Sequence, residues 1–202
     1  IHFIFTYFCK VSEGLVYSYE IYNWDERWET GILLQENEDW ILLANIPTEY
    51  LIDGYKLIVK KHVSYRYREE SEKAHERYFR LKGIPTPTTP EGFCIQKSVI
   101  EMLTWIEQKY SFFEFKDYDE YESFVGRLRN VQIDEGIFTI DYLFNDGTLD
   151  TEYETEFFQD EISVIYFDTY YLRAVTFLYQ ENIKGRPAEI TMPIRKKRIN
   201  RK

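Results

Sequence analysis

Two cysteines, two methionines and nine glycines among 202 residues leave little room for several kinds of chemistry. Cys9 and Cys94 lie far apart and match no ligand spacing, so they fit buried free thiols better than a disulfide framework. The three histidines, His2, His62 and His75, show no spacing suited to a metal ion. No glycine-rich phosphate loop and no serine in a nucleophile elbow occurs. No apolar run reaches the roughly 18 residues of a membrane span; the best, residues 1–9, stops at Lys10. The sequence therefore reads as a non-enzymatic, cytoplasmic protein, with no catalytic residue, metal ligand or cofactor assigned.

Aromatic residues, by contrast, are plentiful. They make up 18% of the chain, with 18 Tyr and 15 Phe, inside a hydrophobic fraction of 44%. That is ample material for a packed core and excludes extensive disorder. Aromatic and β-branched enrichment also favours strands over helical bundles. The net charge of −10 is unevenly spread: residues 1–90 carry −3, residues 91–182 carry −14 and residues 183–202 carry +7. An acidic body followed by a basic tail invites salt-sensitive attraction to charged partners.

A pattern of turns and apolar runs is written twice. Gly31 lies opposite Gly126, Asp53-Gly54 opposite Asp146-Gly147, and Val63-Ser64 opposite Ile162-Ser163. The alternation of Tyr17, Tyr19 and Ile21 with Ser18 and Glu20 predicts a strand paired in a hairpin with the apolar run before it. Strands are expected at 28–35 and 40–46, around the polar turn 36–39. A single bent strand is expected over 55–67, its phase shift at Lys60-Lys61 read as a bulge. Ala74, Tyr78 and Leu81 recur at helical spacing, so 69–82 is predicted helical, closed by Gly83. Three prolines in residues 84–92 mark a linker. Ser98 and Glu101 have capping-box spacing ahead of the stripe Ile100, Leu103, Ile106, Tyr110, predicting a helix over 97–110. Strands should follow at 111–116, 123–133, 137–144, 153–167 and 171–180, the last nearly all apolar as if buried between layers. Pro187 and Pro193 flank a short candidate edge strand.

The order of these elements is similar to that of Sm-like small barrels, relatives of the SH3-like barrels, and to uncharacterised bacterial members of that broad group. The second copy carries the resemblance through Phe124-Val125-Gly126-Arg127-Leu128, Asn145-Asp146-Gly147, Asp160-Glu161-Ile162-Ser163 and the run 167–174. The first carries it through Trp40-Ile41-Leu42-Leu43, Asp53-Gly54-Tyr55 and Lys60-Lys61-His62-Val63. The resemblance implies a mainly β (α+β) fold of two five-stranded small barrels in tandem. The divisions would be a first barrel with a terminal helix over 1–83, a linker over 84–96, a helix and second barrel over 97–182, and a basic tail over 183–202.

Two surfaces are candidates for binding. Aromatic and basic residues interleave at Tyr65, Arg66, Tyr67 and Arg68, a combination that stacks bases and neutralises phosphates; the alternative is a strand with a tyrosine core face and an arginine solvent face. The tail residues Arg195, Lys196, Lys197 and Arg198 would grip an anionic partner or serve as a solubilising end. Asp117, Asp119, Glu120 and Glu122 form a candidate acidic partner surface. The leading expectation is a protein-interaction module, monomer or homodimer, whose acidic barrel binds a basic partner in the manner of an immunity protein. The competing expectation, suggested by the Sm resemblance, is single-stranded RNA binding.

Overall fold

A computed structural model describes residues 14–22, 24, 28–95, 98–118 and 122–185. The segment before the first strand, the candidate edge strand near 188–192 and the basic tail lie outside the described residues.

The first half of the chain begins with a meander of β1 (Val16–Ile21), β2 (Trp28–Glu36), β3 (Trp40–Asn45) and β4 (Tyr55–Val59). In the turn after β2, the Asn37 side chain accepts hydrogen bonds from the Asp39 and Trp40 amides, at 3.0 and 2.7 Å. What the sequence suggested as one bent strand over 55–67 is two: a 3-10 turn at Lys60–His62 breaks it. The turn lets β5 (Val63–Tyr67) cross the layer and pair with β1 instead of continuing along β3. Helix α1 (Glu70–Lys82) follows. It buries Glu72 and Phe79, while Leu81 of the expected stripe is 72% exposed. Polar anchoring selects this face. Ser18 donates to Glu72 at 2.6 Å, and Glu76 accepts the Val16 amide at 2.9 Å, both from β1.

The segment from Gly83 to Ile95 has no regular structure, yet Pro90 and Phe93 are buried. Phe93 packs against Trp105 and Phe167, with ring centroids 4.8 and 5.7 Å apart. Helix α2 (Val99–Tyr110) buries Ile100, Leu103 and Ile106 as its stripe predicts. Its capping box does not form, because the Ser98 hydroxyl makes no cap and instead faces Gln159 at 3.4 Å.

The second half repeats the order of the first. Strands β6 (Phe113–Asp117), β7 (Ser123–Gln132) and β8 (Ile137–Leu143) form a meander. Two short strands, β9 (Leu149–Asp150) and β10 (Phe157–Phe158), pair in turn with β8. A 3-10 turn at Gln159–Glu161 leads into β11 (Ile162–Phe167), which returns to β6 as β5 returns to β1. Both halves carry the same irregularities. The β2–β3 register shifts between Leu33 and Gln35, and the β7–β8 register between Leu128 and Asn130. A Cβ on Gly31 would lie 2.5 Å from the Ala44 carbonyl oxygen, and one on Gly126 would lie 2.4 Å from that of Asp141. Only glycine lets these strands approach so closely.

Residues 170–184 depart from expectation, for the predicted strand at 171–180 is helix α3 (Tyr170–Lys184). Asp168 takes a positive φ of 53°, the Thr169 hydroxyl accepts the Leu172 amide at 3.2 Å, and Asp53 accepts the Tyr170 amide at 2.7 Å. These contacts turn the chain out of the sheet and start a helix. Leu172 and Val175 are buried, whereas Phe177 is 59% exposed.

The strands form one antiparallel sheet in the order β10-β8-β7-β6-β11-β4-β3-β2-β1-β5, with β9 alongside β8. The ends of this path do not pair, so the sheet is open. The fold is mainly β, as expected; its strands do not close into a barrel, and the two halves join edge to edge through β4 and β11. Leu57, Ile58, Val164 and Ile165 at this junction are fully buried. The largest hydrophobic cluster runs from Val16 and Leu42 in the first half to Phe115 and Phe138 in the second. Burying both faces of β4 and β11 explains why neither alternates in polarity.

Candidate interaction surface

A buried polar cluster sits at the junction of the halves. The Lys56 ammonium donates to Glu29 at 2.6 Å, and the Tyr166 hydroxyl donates to the other carboxylate oxygen at 2.5 Å. Lys116 lies 3.9 Å from Glu29 and donates to Tyr166 at 3.3 Å. Burial pushes the Glu29 carboxyl up, but the attraction of Lys56 and Lys116 and the hydrogen bonds from Lys56 and Tyr166 outweigh it, holding Glu29 below its ordinary value. Burial lowers Lys56, and its Glu29 partner offsets this only in part. Nearby, the Ser163 hydroxyl of β11 meets His62 Nδ1 at 2.8 Å. Burial, then the neighbouring Lys61 charge, lower His62. Every head group here is directed at another, so the cluster ties β2, β4, β6 and β11 together rather than presenting reactive groups.

The candidate aromatic-basic strand is β5, at one end of the sheet, where among the described residues it pairs with β1 alone. No side chain of it is fully buried, though Val63 packs against the cluster around Tyr19 and Ile41. Tyr65 is 63% exposed, and the Tyr67 ring lies 4.1 Å from that of Trp28, itself half exposed. Tyr67 donates to Glu20 at 2.9 Å. Arg66 pairs with Glu36 at 3.1 Å and stacks over the Tyr17 ring at 3.8 Å, while Arg68 pairs with Glu76 at 3.0 Å. The alternation of tyrosine and arginine is therefore real, but each arginine already has a carboxylate.

Of the candidate acidic surface, Asp117 ends β6 half-buried and Glu122 is exposed beside β7. Asp119 and Glu120 lie outside the described residues, as do Arg195, Lys196, Lys197, Arg198, His2 and Cys9. Cys94 is exposed, contrary to the expected buried thiol, because Phe93 takes the inward position next to it. His75 bonds its own helix through the Ser71 carbonyl. Among the described residues no group of three His, Cys, Asp or Glu side chains converges to hold a metal ion, and no helix is long and apolar enough to cross a membrane.

An acidic edge not singled out from sequence lies at the opposite end of the sheet from β5. Between β9 and β10 the chain leaves the ladder over Thr151–Glu156, where Arg129 donates to the Thr151 and Tyr153 carbonyls. Glu152, Glu154 and Glu156 are exposed, and among the described residues they make no ion pair. Phe158 beside them is 43% exposed. Their alternation with Tyr153, Thr155 and Phe157 underlay the strand expected over 153–167, but 153–156 form no strand, and a 3-10 turn at Gln159–Glu161 separates β10 from β11. An open groove of about 640 Å³ also separates the two 3-10 turns, yet its Lys60 is held by Glu36 and its Lys61 lies 3.7 Å from Asp160. No set of polar groups converges in it.

In comparisons with known proteins, the chain matches no family model, no curated protein and no solved structure.

Proposed function

We propose that this chain is a non-enzymatic protein-interaction module that captures a basic segment of a protein partner along the acidic edge of its second half. The row of exposed, unpaired Glu152, Glu154 and Glu156 beside the short β10 carries this reading. An unpaired strand edge offers backbone donors and acceptors to an extended segment, and the carboxylates select a basic one. Charge complementarity of this kind chiefly raises the association rate and falls with salt. The repeated order of strands, turns and register shifts supports a tandem duplication of a small SH3-like or Sm-like unit, with the strongly acidic half specialised for the partner. The test is a pull-down with the immobilised chain. A basic protein recovered at low salt, lost at high salt and lost with Glu152→Gln/Glu154→Gln/Glu156→Gln supports the proposal; no salt-sensitive capture overturns it.

The second reading, single-stranded RNA binding, is favoured by the ring series Trp28, Tyr67 and Tyr65, whose outer members are exposed and offer a stacking platform. Against it stand Glu20 at the Tyr67 hydroxyl and the internal pairing of Arg66 and Arg68. Fluorescence anisotropy with mixed-sequence RNA at two salt concentrations separates the readings, since phosphate binding gives a steep salt slope.

A further inference from the structure

We infer that the basic segment fitting the acidic edge is β5 of a second copy of this chain, docked in the register that already joins β4 to β11. This rests on the acidic edge being a binding surface, as proposed above, and names its partner.

The register follows from the two halves themselves. The β1–β5 ladder shifts so that Ser64 is skipped, and the β6–β11 ladder shifts so that Ser163 is skipped. Tyr65, Arg66, Tyr67 and Arg68 consequently occupy the places that Val164, Ile165, Tyr166 and Phe167 occupy in the second half. On the other side, Ile41 pairs with Ile58 and Trp40 with Val59, each matched by Phe138 with Phe157 and Ile137 with Phe158. A 3-10 turn follows both. Counting back from Phe157 puts Glu156, Thr155 and Glu154 at the places of Leu57, Lys56 and Tyr55.

Inside the chain the junction pairs Val164 with Ile58, Ile165 with Leu57, Tyr166 with Lys56 and Phe167 with Tyr55. The same junction between two copies sets Tyr65 against Phe157, Arg66 against Glu156, Tyr67 against Thr155 and Arg68 against Glu154. Both arginines meet a carboxylate and the outer tyrosine meets a phenylalanine, the favourable kinds of cross-strand pair. Among the described residues neither edge is occupied, since β5 pairs with β1 and β10 with β8. The present partners of Arg66 and Arg68 are partly exposed carboxylates, and such pairs exchange at little cost. From Asp150 to Phe157 the second half takes seven steps, where the first takes five from Asp53 to Ile58. The extra length keeps Glu154 to Glu156 out of the ladder until a strand arrives. Because the two edges differ, the contact is head-to-tail and builds a ring or an open chain of copies.

Sedimentation equilibrium of the full chain, at about 0.05 M and about 0.5 M salt, tests this. At low salt the mass should rise with concentration above the 24.6 kDa of one chain. Glu154→Arg/Glu156→Arg, on an exposed stretch, and Arg66→Glu/Arg68→Glu should each stay at one chain's mass. Their equimolar mixture should associate, since each then offers the other an opposite charge. Wild-type protein that remains at one chain's mass throughout overturns the inference, as does association that both variants leave intact. Should the edge glutamates still capture a foreign basic protein when the wild type does not self-associate, the acidic edge stands as a binding surface and only its assignment to a second copy falls.

Discussion

Ser64 and Ser163 occupy the same irregular step in the two halves of the sheet, each the skipped residue where the last strand of a half rejoins the first. A bulge bends its strand and sharpens the twist, and here it lets the chain leave a 3-10 turn and land on the far edge of its own meander. Among the described residues one half thereby ends at an open edge on β5, whereas the other ends at β11, buried against β4. The same local device yields an exposed Tyr-Arg strand in one place and a core strand in the other.

Gly31→Ala and Gly126→Ala should each destabilise the chain by about 1–3 kcal/mol, the range for forcing atoms into packed strands. The added methyl would meet a backbone carbonyl at 2.5 or 2.4 Å, which has nowhere to move without breaking the ladder. Chemical denaturation of the two variants checks this. An effect at only one glycine would show that the halves are not built alike.

Lys56→Met leaves the Glu29 carboxylate buried with Tyr166 and a distant Lys116, so it should cost about 3–5 kcal/mol, the usual penalty for breaking a buried pair. Glu29→Gln/Lys56→Met removes both charges and should recover most of that loss. A double-mutant cycle in urea measures the coupling; additive losses would mean the pair does not hold the halves in register.

Burial raises the Glu114 carboxyl above its ordinary value, and the hydrogen bond from Ser123 and the charge of Lys116 fail to cancel it. The folded chain then binds a proton at a pH where the unfolded chain is still ionised. Stability therefore rises as pH falls through the raised folded value, and the penalty is fully present above it. Glu114→Gln should be more stable than wild type at alkaline pH, and the gap should close as pH falls to the ordinary carboxylate range. Thermal unfolding of both proteins across that range decides it, with a pH-independent offset as the contrary result.

Much of the sheet was legible because strands print their period: the apolar alternation of Tyr17, Tyr19 and Ile21 marked β1, although its other face is also covered, at Val16 and Ser18, and the paired glycines marked equivalent strands. The junction was not legible. Pairing of β4 with β11 joins segments more than a hundred residues apart, and its trace in sequence is only that 57–59 and 162–167 lack polar alternation. Helix α3 was misread because an apolar run does not by itself separate a buried strand from a helix; Thr169 as a cap and the spacing of Leu172, Val175 and Tyr179 held the answer. The acidic edge at 152–156 was passed over in favour of Asp117 to Glu122, since exposure and the lack of counter-charges depend on where the neighbouring strands stop.

The most direct measurement of the central claim is amide hydrogen exchange of the full chain, free and in its low-salt complex. Slower exchange over 151–158 on complex formation, with α3 unchanged, is the result the acidic edge predicts. Exchange that stays the same at 151–158 while another face becomes protected would contradict it.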